Sequence, residues 1–383
     1  MLERFANFTS FQKFLVGIFG TLILYFASTA ASFFITKAFF VGETSFLTPA
    51  AKLIGITSKP EAGDIPCKIN GAKYSQSQAD NWVKRRPLGV MIENHVDARP
   101  QSGLSRADVI YEAVAEGGIT RFLAIYHCQD AGDIAPVRSA RTYYLDWLSE
   151  YEAAHAHVGG ANTPGPANAL GQIRQYGIRD LDQFGLGFPT YWRSTDKFAP
   201  HNVHTTTERL WKATEERDWG AVDASTGLSW DKNFRQWKFK EDVSLEQRPA
   251  SGSAVVEFWA SQPSYSVSWK YDRDKNSYLR YHGDQVQIDP LTGEQIAAKV
   301  VITQFLEERT ARDGYPSDLH LLYRTTGQGE ALVFQDGKVT KATWRKKGRI
   351  DRSLYFDEKS QEIAFNRGLI FIQTVPTGAA VTY

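Results

Sequence analysis

Cysteine and methionine are scarce in this chain, with two of each in 383 residues. Cys67 and Cys128 stand far apart and in no C-x-x-C pair, which excludes the paired-thiol knuckle of a structural zinc site. Two free thiols are the default reading, and a disulfide is the alternative once the body lies outside the cytoplasm. An excess of charge of one sign is also missing. The 44 Lys and Arg residues face 43 Asp and Glu, for a net charge of +1. That balance argues against a nucleic-acid partner recognised through overall charge. No H-E-x-x-H, no G-x-S-x-G, no internal repeat and no low-complexity tract is present, so the metalloprotease helix and the hydrolase nucleophile elbow are excluded.

Aromatic residues are plentiful at 13%, with ten tryptophans, enough for a large core. One long apolar run stands apart. Residues 14–35, FLVGIFGTLILYFASTAASFFI, contain no charge and have the length of a membrane-spanning helix. Arg4 and Lys13 precede it and Lys37 follows, which orients residues 1–13 to the cytoplasm and the body outside. A cleaved signal peptide with small residues Ala27 to Ser32 is the rival reading. Continuation of the run through Phe33, Phe34 and Ile35 favours an uncleaved anchor. Residues 36–86 read as a spacer.

The body is expected to be mixed α/β. Residues 87–230 alternate strand-like and helix-like runs and predict an α/β layered domain. Strands are expected at Leu88–Ile92, Val109–Val114, Phe122–Tyr126 and Ala153–Val158. Helices are expected over 141–151, 164–176 and 206–219, the last with Thr205 or Thr206 as N-cap. Residues 231–252 form a polar seam. Residues 253–383 carry short strands between explicit turns such as QDGK and predict a β-rich antiparallel domain.

The stretch from Pro87 to Arg141 holds the densest chemistry, with Glu93, Glu112, Glu116, Arg121, Arg138 and Arg141 among apolar strands and glycines. Glu112 and Glu116 are four apart, so an unbroken strand would put both on one face. Each needs a partner, and Arg121, Arg138 and Arg141 are the nearby cations. Either the group is an ion-pair network tying strands to a helix, or the arginines bind an anion while a glutamate acts as general acid or base. Arg138 and Arg141 flank Ser139 at an expected helix start, a setting that suits phosphate or carboxylate. His157 before Gly159 and Gly160, and His201 before Asn202, are the histidines placed for proton transfer. A divalent metal held by His155, His157, His201 and His204, with oxygens from Asp146, Asp196 or Glu112, is the weaker alternative. No cofactor is otherwise implied.

The runs RPLGVMIENHVDARPQSGLSRADVIYEAVAEGGITRFLAIY and APVRSAR, then HVGG, WRSTDKFAPHN and GQGEALVFQDGKVTKATW, resemble the YerB-like bacterial lipoproteins from Arg86 to Pro376. The resemblance implies an N-terminal and a C-terminal domain of unknown function and a membrane-attached, extracytoplasmic location. It implies no characterised activity. Glu112, Glu116, Arg121, Arg138, Arg141, His157, His201 and Asn202 fall in its distinctive motifs. Two departures stand out. No cysteine precedes Cys67, so the apolar run is expected to replace a lipid anchor, and the tail reads FNRGLIF where the family is expected to have a proline and a tryptophan nearby.

These observations predict a single-pass cell-membrane protein whose extracytoplasmic body binds an anionic cell-wall polymer or its fragments. Glu112, Glu116, His157 and His201 are the candidate catalytic groups, and Arg121, Arg138, Ser139, Arg141 and Asn202 the candidate ligand-binding groups. A wall-glycan hydrolase or lyase, and a scaffold that docks other envelope proteins, are the alternatives. No nucleic acid is expected as a partner.

Overall fold

The structure, a computed structural model, describes residues 63–259 and 262–383, so the expected anchor at 14–35 lies outside the described residues. Among the described residues no helix is long and apolar enough to cross a membrane.

In the first half the principal strands are β1 (Leu88–Glu93), β2 (Val109–Glu116), β3 (Ile119–Tyr126), β4 (Ala154–His157) and β5 (Asp180–Asp182). The principal helices are α1 (Gln76–Trp82), α2 (Thr142–Ser149), α3 (Ala169–Gln175) and α4 (Thr207–Glu215). The principal strands of the second half are β6 (Ser253–Val256), β7 (Val267–Asp272), β8 (Ser277–His282), β9 (Val300–Leu306), β10 (Gly327–Gln335), β11 (Lys338–Lys346), β12 (Leu354–Phe356), β13 (Ile370–Pro376) and β14 (Val381–Thr382). The mixed helix-and-sheet content matches the expectation from sequence. Helix α3 is shorter than its small-residue run suggested, because Asn168 caps it by accepting from the Gly171 amide at 2.7 Å. Helix α4 begins after Thr206, whose hydroxyl accepts from the Arg209 amide at 3.1 Å.

One ten-stranded sheet joins the two halves, in the order β12-β11-β10-β9-β13-β2-β3-β1-β4-β5. Antiparallel pairing alone was expected in the second half, yet β9 and β13 run parallel, and β13 pairs in parallel with β2 of the first half. The β2–β3 and β10–β11 hairpins each close in two residues. Gly117 and Gly118 have φ of 55° and 82°, and Asp336 and Gly337 have φ of 54° and 70°. Such left-handed pairs match the right-handed twist of the strands they join, which is why Gly-Gly and Asp-Gly stand there.

Helix α2 covers one face of this sheet. Trp147 stacks on Tyr111 of β2 with ring centroids 5.3 Å apart, and Tyr144 donates a hydrogen bond to the Arg121 carbonyl at 2.6 Å. The smaller sheet built on β14-β6-β7-β8 covers the opposite face. There Trp269 of β7 meets Phe371 of β13 at 5.0 Å and donates to Gln373 at 2.9 Å. The central strands are thus buried on both sides, which explains their continuous apolar runs.

The free-thiol reading is corrected. Cys67 and Cys128 form a buried disulfide that ties the segment before α1 to the end of β3. Asp108 lies beside it and accepts from the amides of His127 and Cys128 at 2.7 and 3.0 Å and from Asn70 at 2.8 Å.

Candidate functional site

Strands β1, β2 and β4 run in one direction, so their carboxyl ends share an edge of the sheet. Three charged groups that the sequence singles out lie at this edge. Glu93 ends β1, Glu116 ends β2, and Arg121, the third residue of β3, lies opposite Glu93 in register. Arg138 and Arg141 arrive on the segment leading into α2.

Glu116 is the hub. It accepts from Arg121 at 3.2 Å and from Arg141, and its side chain is 24% exposed. Burial alone would raise its pKa. Arg121, then Arg141, with Arg138 further out, outweigh that and hold it at about 2. Arg121 is buried and also donates to the Ser139 carbonyl at 2.8 Å, so Ser139 contributes backbone to this network. Burial pulls the Arg121 pKa down, with Arg141 next. Arg138 places Nε 3.1 Å from Glu93 and is 24% exposed. The other oxygen of Glu93 lies 3.0 Å from His201 Nδ1, and the His201 ring stacks on His95 at 4.9 Å. Three arginines therefore meet two glutamates along this edge, which leaves one positive charge uncompensated.

Glu112 does not belong to it. The register of β2 against β3 shifts between Val114 and Glu116, and this bulge turns Glu116 to the face covered by α2. Glu112 stays on the opposite face, fully buried. Its carboxylate accepts from Arg280 at 2.7 Å, Thr120 at 2.8 Å and Asn94 at 3.3 Å. Arg280 in turn lies over the rings of Phe371, Phe122 and Trp269. The one-face expectation for the two glutamates is corrected, and the partner of Glu112 is an arginine 168 positions away.

The histidines separate as well. His155 and His157 share a face of β4, as expected, but both are fully buried. His157 has Nδ1 2.8 Å from the Gly159 carbonyl and Nε2 2.9 Å from Asp180, so both edges of its ring are engaged. Burial, then the neighbouring His157, pulls the His155 pKa down to about 3. His204 pairs with Asp133 at 2.7 Å. Asn202 clasps its own loop, donating to the carbonyls of Ser194 at 2.9 Å and Lys197 at 3.1 Å while accepting from Arg193 at 2.8 Å. Asp146 accepts from Thr325. Of the four histidines considered for a metal, only His201 falls in a group of ligating atoms close enough to share an ion. Its companions are His95 and Asp97, with atoms within 4.8 Å of one another.

The N-terminal part, residues 75–220, matches the family described as "Protein of unknown function (DUF3048) N-terminal domain". Residues 254–372 match the corresponding C-terminal domain. The chain is 29% identical over 302 residues to "Putative lipoprotein YerB" of Bacillus subtilis (strain 168), covering 78% of this chain and 85% of that protein. The chain belongs to the YerB-like family. The crystal structure of the YerB protein from Bacillus subtilis superimposes with a TM-score of 0.69 at 25% identity, covering 83% of this chain and 99% of that one. The arginine edge lies within the N-terminal family domain, whereas Arg280, which holds Glu112, comes from the C-terminal one.

Arg280 was not legible in the sequence, because nothing local signals a partner that meets Glu112 across 168 positions. His95 and Glu93 carried a signal, a charged strand end running into a His-containing loop.

Proposed function

We propose that this YerB-like chain is an extracytoplasmic, membrane-associated envelope protein that binds an anionic envelope polymer or its fragments at the arginine edge. One observation carries the reading. Arg138 is half-buried and shares its single carboxylate partner among the described residues, Glu93, with His201, while Arg121 and Arg141 behind it hold Glu116 ionised. Guanidiniums fixed in this way are preorganised for phosphate or carboxylate oxygens. The likeness to a Bacillus subtilis protein named as a lipoprotein, the apolar run at 14–35 and the buried disulfide all favour a location outside the cytoplasm. The test is sedimentation of the protein with purified cell wall. Arg138→Ala combined with Arg141→Ala is expected to abolish retention, and unchanged retention would sink the reading.

A second reading, turnover of wall glycan, rests on the Glu93–His201 pair, a carboxylate-oriented imidazole of the kind that moves protons. Glu116 is a poor general acid because its arginines keep it charged at neutral pH, and Glu112 is closed off by burial. Release of soluble fragments from wall by the wild-type protein, lost in His201→Ala, would support this reading. No release with or without divalent ions would remove it.

A further inference from the structure

A second basic group lies at the other end of α2. Arg141 is the N-cap of this helix and Glu150 its C-cap. At 1.5 Å per residue the two are roughly 14 Å apart. Glu150 is fully buried and accepts from Lys346 at 2.8 Å, Arg352 at 3.3 Å and the Ser353 hydroxyl at 2.7 Å. Lys346 and Arg352 also line a cavity of about 640 Å³, together with Arg235, Arg345 and Lys347, and Asp351 is its only acidic wall residue. Arg235 is paired with Glu362 at 2.6 Å. Arg345 and Lys347 are exposed and have no carboxylate partner among the described residues; Arg345 lies over the Phe356 ring at 4.5 Å. The Arg352 side chain is 1% exposed, yet its Nε and Nη2 find no hydrogen-bond acceptor. Arg352 also lies over the rings of Trp237 and Tyr151 at 3.5 and 4.2 Å, so the cavity sets its unused N–H groups beside the exposed, unpaired cations Arg345 and Lys347, a wall whose charge suits an anion.

We propose that this cavity is a second subsite for the same anionic chain, so that one polymer spans α2 from the arginine edge to Arg345 and Lys347. The proposal rests on the polymer-binding reading above and adds the ligand's form: a linear molecule with repeated anionic groups, rather than a single small anion. The two groups stand at opposite ends of α2, beside its Arg141 N-cap and its Glu150 C-cap, so occupancy of the first raises the effective concentration at the second without any new contact.

Calorimetry with tripolyphosphate, a long polyphosphate chain and an oligogalacturonate tests this. Two tripolyphosphates are expected per wild-type chain, and the long chain should bind one-to-one, about tenfold or more tighter. Arg345→Ala with Lys347→Ala should remove one tripolyphosphate and the chain-length gain. Neither side chain belongs to the Glu150 network, so the melting temperature should hold. Oligogalacturonate tells carboxylate from phosphate as the preferred anion. If this double variant binds the long chains as wild type does, the second subsite is overturned. Loss confined to Arg138→Ala with Arg141→Ala would also overturn it while leaving the arginine edge intact. Failure of the wild-type protein to bind any of the three polyanions overturns both readings.

Discussion

A carboxylate inside a sheet costs several kcal/mol unless donors replace its water. Glu112 has a full set in Arg280, Thr120 and Asn94. Removing one partner of such a pair strands the other. Glu112→Gln is therefore expected to destabilise the protein by about 3–5 kcal/mol in urea unfolding, because Arg280 loses the one carboxylate it meets among the described residues. An unchanged midpoint would show that the pair is not structural. Asp108 is the opposite case. It is buried, and burial raises its pKa to about 7 despite the amides of Cys128 and His127 and the weaker pull of Arg85. Its folded pKa then lies above its unfolded value near 4, so the native state binds the extra proton between these limits. Stability from this group is present at low pH and is lost as pH rises through about 7. Asp108→Asn should flatten the fall in melting temperature between pH 4 and 7, and a variant with the wild-type slope would contradict this assignment.

The elements that place the site depend on details shorter than a hydrophobic pattern. The β2 hairpin was legible from its apolar runs and from Gly117 and Gly118 between them. Its bulge was not, because one extra residue leaves composition unchanged while turning Glu116 to the other face. Helix α2 was legible to within two residues, since Tyr144, Leu145 and Leu148 recur at helical spacing. Its close approach to β1 depends on Gly89, where a Cβ would meet Leu148 Cδ1 at 2.1 Å. Gly89→Ala should push α2 outward and cost roughly 1–3 kcal/mol. It should also weaken wall binding, since α2 follows directly from Arg141; wild-type stability in that variant would mean that the helix yields freely.

At the scale of the molecule, the two family domains are stitched by a shared sheet and by ion pairs between distant residues. The change from helix-strand alternation to dense strands is visible along the chain. The parallel pairing of β13 with β2 is not, because register between distant strands is set by packing on both faces rather than by local pattern. The disulfide closes a separation of 61 residues, for which chain entropy predicts roughly 4 kcal/mol. Cys67→Ser with Cys128→Ser should lower the melting temperature accordingly, and reductant should have no effect on that variant. Equal melting of both proteins would show that the bond carries no stability.

The proposed role of this protein requires that the arginine edge meet a polyanion. The most direct measurement is retention of the wild-type protein on intact cell wall and on the same wall after chemical removal of its anionic polymers. Retention on the intact wall that weakens with added salt and is lost on the stripped wall is the result expected. Equal retention on both would contradict it.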